Sequence, residues 1–447
     1  MLHRIQPPAV TNPSLSISDA VYPNPFPQIL EYSPAARGTW NIVHTGMLLP
    51  ESHQIYICAS GCLRGVILTA AEMGESYYRR FHTLELRERD LYASDPEAFL
   101  IEGITSILQR LDHLPPAVLV FTACVHHFLG CNLSYVYQTL RHRFPAVQFA
   151  ECIMDPIRQT KSMPPEVRER LEIARLLRPS QKHDAAINMI GSNLPLAPKS
   201  DIQKLLQKAG RLLRDFPSLR TYRDFQTMSQ SSANLFTTPL ARNAAEDLEK
   251  RLSQPYLYLP QVWTYKKITE QLQQLSRFLA TETPDLRKRI ATLELRFESL
   301  HSQIGDHPLA LDYTFTPLPF SLAHLLVSHD FNVTEIYADT IPEEDEQNFR
   351  WLQTHAPQIR LSPTKHPAMR TQPRLHLDAS GRLPIALGQK AAYFTGTHHF
   401  LPEIEAGGHY GLEAIHWLQT ALSRAAILET DPEPILKKKA WGAPSCI

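Results

Sequence analysis

The run Ala117-Val-Leu-Val-Phe-Thr122 has no charged residue and no polar–apolar alternation. A strand of this kind is covered on both faces. The usual cover is a parallel sheet with helices on each side. Gln54–Cys58 and Ala185–Ile190 read as further buried strands, and Ala310–Thr314 as a strand. Gly61 follows the first of these strands and Gly191 the third, and stretches of helical periodicity follow each run. At 447 residues the chain is too long for one ordinary core. The expectation is an α/β protein of three doubly wound, parallel-sheet (Rossmann-like) domains around a central cleft.

The predicted organisation is an extended, proline-broken arm over 1–40 and α/β domains over 41–182, 183–305 and 306–447. Amphipathic helices are predicted at Pro96–Leu111, Asn132–Arg143, Lys199–Ala209 and Ala244–Leu252. Strands are predicted at Val147–Ala150, near Arg211–Phe216 and at Pro255–Leu259. Arg223–Leu235 reads as helix, running into Ala-Asn-Leu-Phe. A long helical connector spans Tyr265–Ser302, with a break near Thr281–Pro284. The last domain should hold strands at Ala310–Thr314, Val333–Tyr337, Ile359–Ser362 and Ala391–Thr395, then a helix over Leu412–Glu429.

Lys+Arg and Asp+Glu both number 45, giving zero formal charge. That removes the electrostatic case for nucleic acid or an anionic membrane as partner. There is no apolar signal region and no run of about 18 apolar residues. A cytoplasmic location is expected, where thiols stay reduced. The six cysteines then read as core thiols, catalytic thiols or metal ligands.

Four of them fall at the ends of predicted strands. Cys58 and Cys62 form a C-x3-C at the first strand–helix turn. Cys124 follows the strand 117–122, and Cys131 comes seven residues later. Carboxyl ends of parallel strands are where α/β folds place cofactors, and thiolates there suit an iron–sulfur cluster. Spacing alone leaves zinc or simple core filling open. Arg64 either balances cluster charge or pairs with a surface carboxylate. His126 and His127 are candidates for a ligand or proton donor, or for structural hydrogen bonds. His409 lies in the turn Gly407-Gly408-His409-Tyr410-Gly411. Cys152 reads as core, and Cys446 as a bystander in the tail. The basic runs 287–289 and 437–439 read as solvated faces. With no G-x-x-x-x-G-K-[ST] and no G-x-G-x-x-G, no nucleotide is expected on this chain.

Ser60-Gly61-Cys62 resembles the Gly-Pro-x-Gly-Cys turn of nitrogenase component 1 proteins, whose cysteine holds a cluster. Thr122-Ala123-Cys124 through Gly130 resembles the family's Thr-x-Cys segment leading to Ile-Gly-Asp-Asp, with Cys131 and Asn132 in place of the aspartates. Looser likenesses follow in order. They are Ile187–Gly191, Gln230–Leu235, Leu252–Pro260, Pro317–Phe331 and Gly408-His409-Tyr410-Gly411, and together they span roughly 41–425. The resemblance implies a first domain that binds a cluster through Cys58, Cys62, Cys124 and Cys131, with [4Fe–4S] favoured over an eight-iron cluster. It also implies an ATP-dependent iron protein as electron donor and a homodimeric or sister-subunit partner. The substrate would be a tetrapyrrole or small molecule in the interdomain cleft, a region that His409 borders in the family. The family's earliest cluster cysteine has no counterpart before Cys58. No cysteine matches the ligand of nitrogenase's catalytic cofactor, which argues against dinitrogen reduction. Two alternatives remain: a scaffold that assembles or transfers a metallocofactor without turnover, and a non-metal α/β binding protein.

Overall fold

The computed structural model describes residues 12–27, 31–34, 36, 39–93, 95–155, 163–374, 377 and 381–434. Most of the first residues of the expected arm, and the tail with Lys437–Lys439 and Cys446, lie outside them. The chain divides into two compact units. One comprises Trp40–Pro195 and Gly210–Pro260, the other Met1–Thr39, Leu196–Ala209 and Gln261–Ile447.

In chain order the strands are β1 (Leu15–Ser16), β2 (His53–Cys58), β3 (Phe81–Glu85), β4 (Ala117–Ala123), β5 (Gln148–Met154), β6 (Ile187–Ile190) and β7 (Leu213–Asp215). They continue with β8 (Ala233–Phe236), β9 (Tyr256–Tyr258), β10 (Leu309–Asp312), β11 (Val333–Tyr337), β12 (Arg360–Ser362), β13 (Ile385–Leu387) and β14 (Phe400–Leu401). The first unit holds two four-stranded sheets, ordered β3-β2-β4-β5 and β7-β6-β8-β9. The second holds a six-stranded sheet, β1-β12-β11-β10-β13-β14. Pairing is parallel throughout, except where β1 runs antiparallel to β12 with Leu15 opposite Leu361. The expected fold class is therefore present, with several doubly wound parallel sheets.

β4 shows why its sequence reads as it does. All seven of its residues are buried. Leu119 and Phe121 face a core shared with Tyr56, Cys58, Leu63 and Ile173. Val118 and Val120 face a second core with Ile55, Ile57, Leu100, Ile104 and Val136. Side chains two apart share a face, so a strand with helices on both faces has no polar side to show. Tyr56 and Phe121 stack across β2 and β4 at 4.2 Å and 2°.

Two expected elements differ. Ala391–Thr395 is not a strand but part of the buried helix Gln389–Thr395, and the strand is β13 just before it. Gly388, at φ +119°, turns the chain sharply, and the Ala391 N–H is taken by the Asp312 carboxylate at 2.6 Å. Short apolar runs do not distinguish buried helix from buried strand. The helix in the Arg223–Leu235 region ends at Thr227, and Ala233–Phe236 is strand β8. Pairing with β6 and β9, and the Asn188 Nδ2–Asn234 Oδ1 hydrogen bond of 2.9 Å, override the helix-favouring composition.

Asp345 ties the helix Pro319–Val327 to its neighbour. It is fully buried and accepts from Phe320 N at 2.8 Å and Asn348 Nδ2 at 3.0 Å. Burial raises its carboxyl to about 7. A carboxyl raised on folding contributes stability below its unfolded value near 4, and that stability is lost as pH rises through about 7. About three pK units correspond to an upper bound of roughly 4 kcal/mol. Thermal unfolding followed from about pH 4 to pH 8 should show an alkaline loss of stability that Asp345→Asn removes. Parallel profiles for the two proteins would refute the assignment.

Candidate functional site

Open parallel sheets place ligands outside the carboxyl ends of their strands, where successive connections leave in opposite directions. Each sheet has one such switch point: β2/β4, β6/β8 and β10/β13.

At β2/β4 the register sets Ile57 opposite Thr122. Cys58 ends β2, and Cys124 opens the short helix Cys124–Phe128 directly after β4. Cys62 lies in the first turn of the helix Ser60–Glu72, whose N-cap Ala59 supplies no side-chain cap. Uncapped N–H groups at a helix start favour anions. The three thiols grade outward, with Cys58 buried, Cys124 half-buried and Cys62 exposed. Burial pushes the Cys58 thiol up to about 12, with Cys62 and then Cys124 adding to the shift through their proximity. Gly61 and Gly65 face open space, since an added Cβ would meet no atom within 4 Å.

Cys131 is not brought to this group. It packs beside Leu133 and Phe99 against the core on the opposite face of the sheet from Cys58. There burial, then Glu97 and Asp95, push its thiol up to about 12. Of the four expected cysteines, Cys58, Cys62 and Cys124 thus lie at or just after the ends of β2 and β4, and Cys131 packs against the opposite core. Cys152 is core, 1% exposed. Among the described residues no three His, Cys, Asp or Glu side chains lie close enough to hold a single metal ion. A multi-iron cluster, whose cysteines bind separate irons, fits a looser thiol set at an open strand end.

His126 is buried, with Nδ1 accepting from Ala123 N at 3.1 Å and Nε2 lacking a partner. Burial lowers its pKa, so the ring is held neutral. His127 is exposed, and Arg64 is exposed without an ion pair among the described residues. Phe128 and Leu129 are exposed beside Cys124 at 69% and 44%.

The β6/β8 point is closed. A Cβ on Gly191 would lie 2.2 Å from Ala241 Cβ, and the cavity nearby, of about 30 Å³, is mostly apolar.

The β10/β13 point is polar. Asp312 is fully buried and accepts from Thr314 N at 2.6 Å as well as from Ala391 N. Burial raises its pKa against those hydrogen bonds and Lys390. Lys390, 3% exposed, sits over the Tyr313 ring at 5.0 Å. Lys390 and Tyr313 line a pocket of about 300 Å³ with Tyr32, Lys365 and Glu31.

A family model described as nitrogenase component 1 type oxidoreductase matches residues 47–371. The chain belongs to that family. It is an oxidoreductase subunit of the nitrogenase component 1 type. No curated protein matched in sequence. The solved structure "Nitrogenase Cp1 at pH 6.5" superimposes with a TM-score of 0.65 at 12% identity, covering 90% of this chain and 93% of that one. "Nitrogenase Cp1 at pH 5" gives 0.56 at 13% identity, covering 90% and 89%. At these identities the likeness is one of fold. Nitrogenase component 1 proteins typically bind iron–sulfur clusters, work with an iron-protein reductase and form multi-subunit assemblies. No helix among the described residues of this member is long and apolar enough to cross a membrane.

Sequence reasoning missed Lys390, Tyr313 and Asp312. Lys390 stands just before the segment Ala391–Thr395 read as strand, and only the β10/β13 crossing places it at a switch point.

Proposed function

We propose that this chain is the cluster-bearing subunit of a nitrogenase-like reductase, with Cys58, Cys62 and Cys124 as ligands to a [4Fe–4S] cluster at the β2/β4 switch point. The observation that supports this reading is the placement of three cysteines at or just after two adjacent strand ends, graded from buried to exposed, with Cys58 in electrostatic range of the other two. Such a cluster supplies one-electron transfer when bound. Cys62 is exposed, which supports a homodimeric or sister subunit that covers the cluster and contributes the fourth ligand. Phe128 and Leu129 form part of the contact surface for that subunit or for the ATP-dependent iron protein that delivers electrons.

The substrate is a reducible small molecule carrying acidic groups, taken at the β10/β13 pocket. Lys390 and Lys365 match its charge, and Tyr313 and Tyr32 offer rings and hydroxyls to orient it. A volume of about 300 Å³ is at the small end of ligand pockets.

The test is iron and acid-labile sulfide on anaerobically purified protein, with an electron paramagnetic resonance spectrum after dithionite. Four iron and four sulfide per cluster are expected, about the composition of a cubane, with a reduced-cluster signal. Protein that takes up no iron after reconstitution would refute the reading. Iron released to an acceptor, without substrate reduction by the loaded protein and its reductase, would identify a cofactor scaffold instead.

A further inference from the structure

A second pocket, of about 530 Å³, carries none of the cysteines. It lies among the helices Asp201–Lys208, Arg287–Ile304 and Leu412–Ala425 of one unit. Its volume falls in the ordinary range of small-molecule sites.

Its walls are fixed by one buried carboxylate. Asp201 is 3% exposed. It pairs with Arg289 at 2.8 Å and Lys204 at 3.4 Å, and accepts the N–H of Glu413 at 3.2 Å. Two cations and the first turn of the Leu412–Ala425 helix are thereby held in register. Lys199 also lines the pocket and has no carboxylate partner among the described residues. The lining thus carries three cations against one carboxylate, Glu413.

On the same wall His409 Nδ1 lies 2.7 Å from Glu413 Oε2. Its ring stacks on Trp417 at 4.6 Å and 12°, and Trp417 stacks on the buried Phe315 at 6.0 Å and 17°. The loop that presents His409 holds two non-glycine residues, Glu405 and Ala406, at positive φ. Strain of that kind costs about 1–3 kcal/mol per residue and collects at functional positions. Donation of Nδ1–H to the Glu413 carboxylate leaves Nε2 as an acceptor.

We propose that this pocket binds a small molecule with a flat apolar body and a carboxylate or phosphate group. Lys199 takes the oxyanion, the apolar wall of Leu293, Leu412 and Trp417 takes the body, and His409 Nε2 accepts a hydrogen bond from the ligand. The inference does not depend on a cluster.

The full chain, labelled in its histidine rings, is titrated with phenyl phosphate, benzoate and inorganic phosphate and followed by nuclear magnetic resonance. Single substitutions assign the His409 and His416 signals. Phenyl phosphate or benzoate should move both signals saturably in the millimolar range or below. Lys199→Gln, which changes an exposed side chain, should weaken that response about tenfold, the scale of one charge-assisted contact. The fold of the variant is checked by its unfolding temperature. Absence of a saturable response, or one unchanged by Lys199→Gln, would overturn the proposal. An equal response to inorganic phosphate alone would overturn the apolar-body assignment. Because iron plays no part, failure here is distinguishable from failure of the cluster reading.

Discussion

Cys62→Ala and Cys124→Ala should each reduce bound iron to background, and Cys58→Ala should do the same. Cys131→Ala should keep the wild-type content. The contrast follows from the sheet. The first three thiols stand at adjacent strand ends, with Cys58 in electrostatic range of the other two. Cys131 packs on the opposite face, against the Pro96–Gln109 side of the core. Ligation energy is part of folding energy, so each ligand loss should also lower the unfolding temperature of the iron-loaded protein. Iron and sulfide analysis of the four variants, purified without oxygen, decides the matter. Wild-type iron in all of the first three would remove the ligand assignment, and iron lost only in Cys131→Ala would reverse it.

Gly388→Ala should destabilise the six-stranded-sheet unit by roughly 3 kcal/mol or more, a large fraction of the stability of an ordinary domain. Two costs combine. The backbone there has φ +119°, a region essentially closed to residues with a Cβ. The added Cβ would also lie 2.2 Å from Asp312 Oδ2, and that carboxylate is locked by Thr314 N and Ala391 N. Chemical denaturation of the variant against wild type measures the loss. A change under about 1 kcal/mol would mean that the turn relaxes freely. Gly61→Ala serves as the control, since its Cβ meets nothing.

What could be read from the sequence depended on which force decided each element. β4 was plain because burial on both faces leaves a continuous apolar run, and Ile187–Ile190 and Leu309–Asp312 were plain for the same reason. Ala391–Thr395 was misread because an equally apolar run is a buried helix there. Its identity is fixed by a hydrogen bond to Asp312, 79 positions earlier. β8 was misread because its pairing with β6 lies outside any local window. The positions of Cys58, Cys62 and Cys124 at or just after strand ends were legible, but the packing of Cys131 on the opposite core was not. That distinction needed the helix Cys124–Phe128, which carries the chain away so that Cys131 joins the opposite core. Lys390 and Tyr313 were invisible because their meeting depends on strand order, which sequence periodicity does not encode.

The antiparallel pairing of Leu15–Ser16 with β12 bears on how the chain is made. Those two residues are synthesised long before their partners Arg360 and Leu361. Until then these two residues have no strand to pair with. Once β12 forms, its outer edge offers open N–H and C=O groups, a template for strands of other chains. Docking of residues 15–16 closes that edge. Their arrival is therefore a late step of biogenesis that separates a soluble product from an aggregating one, and a bulky fusion placed just before residue 15 would act on yield rather than on chemistry.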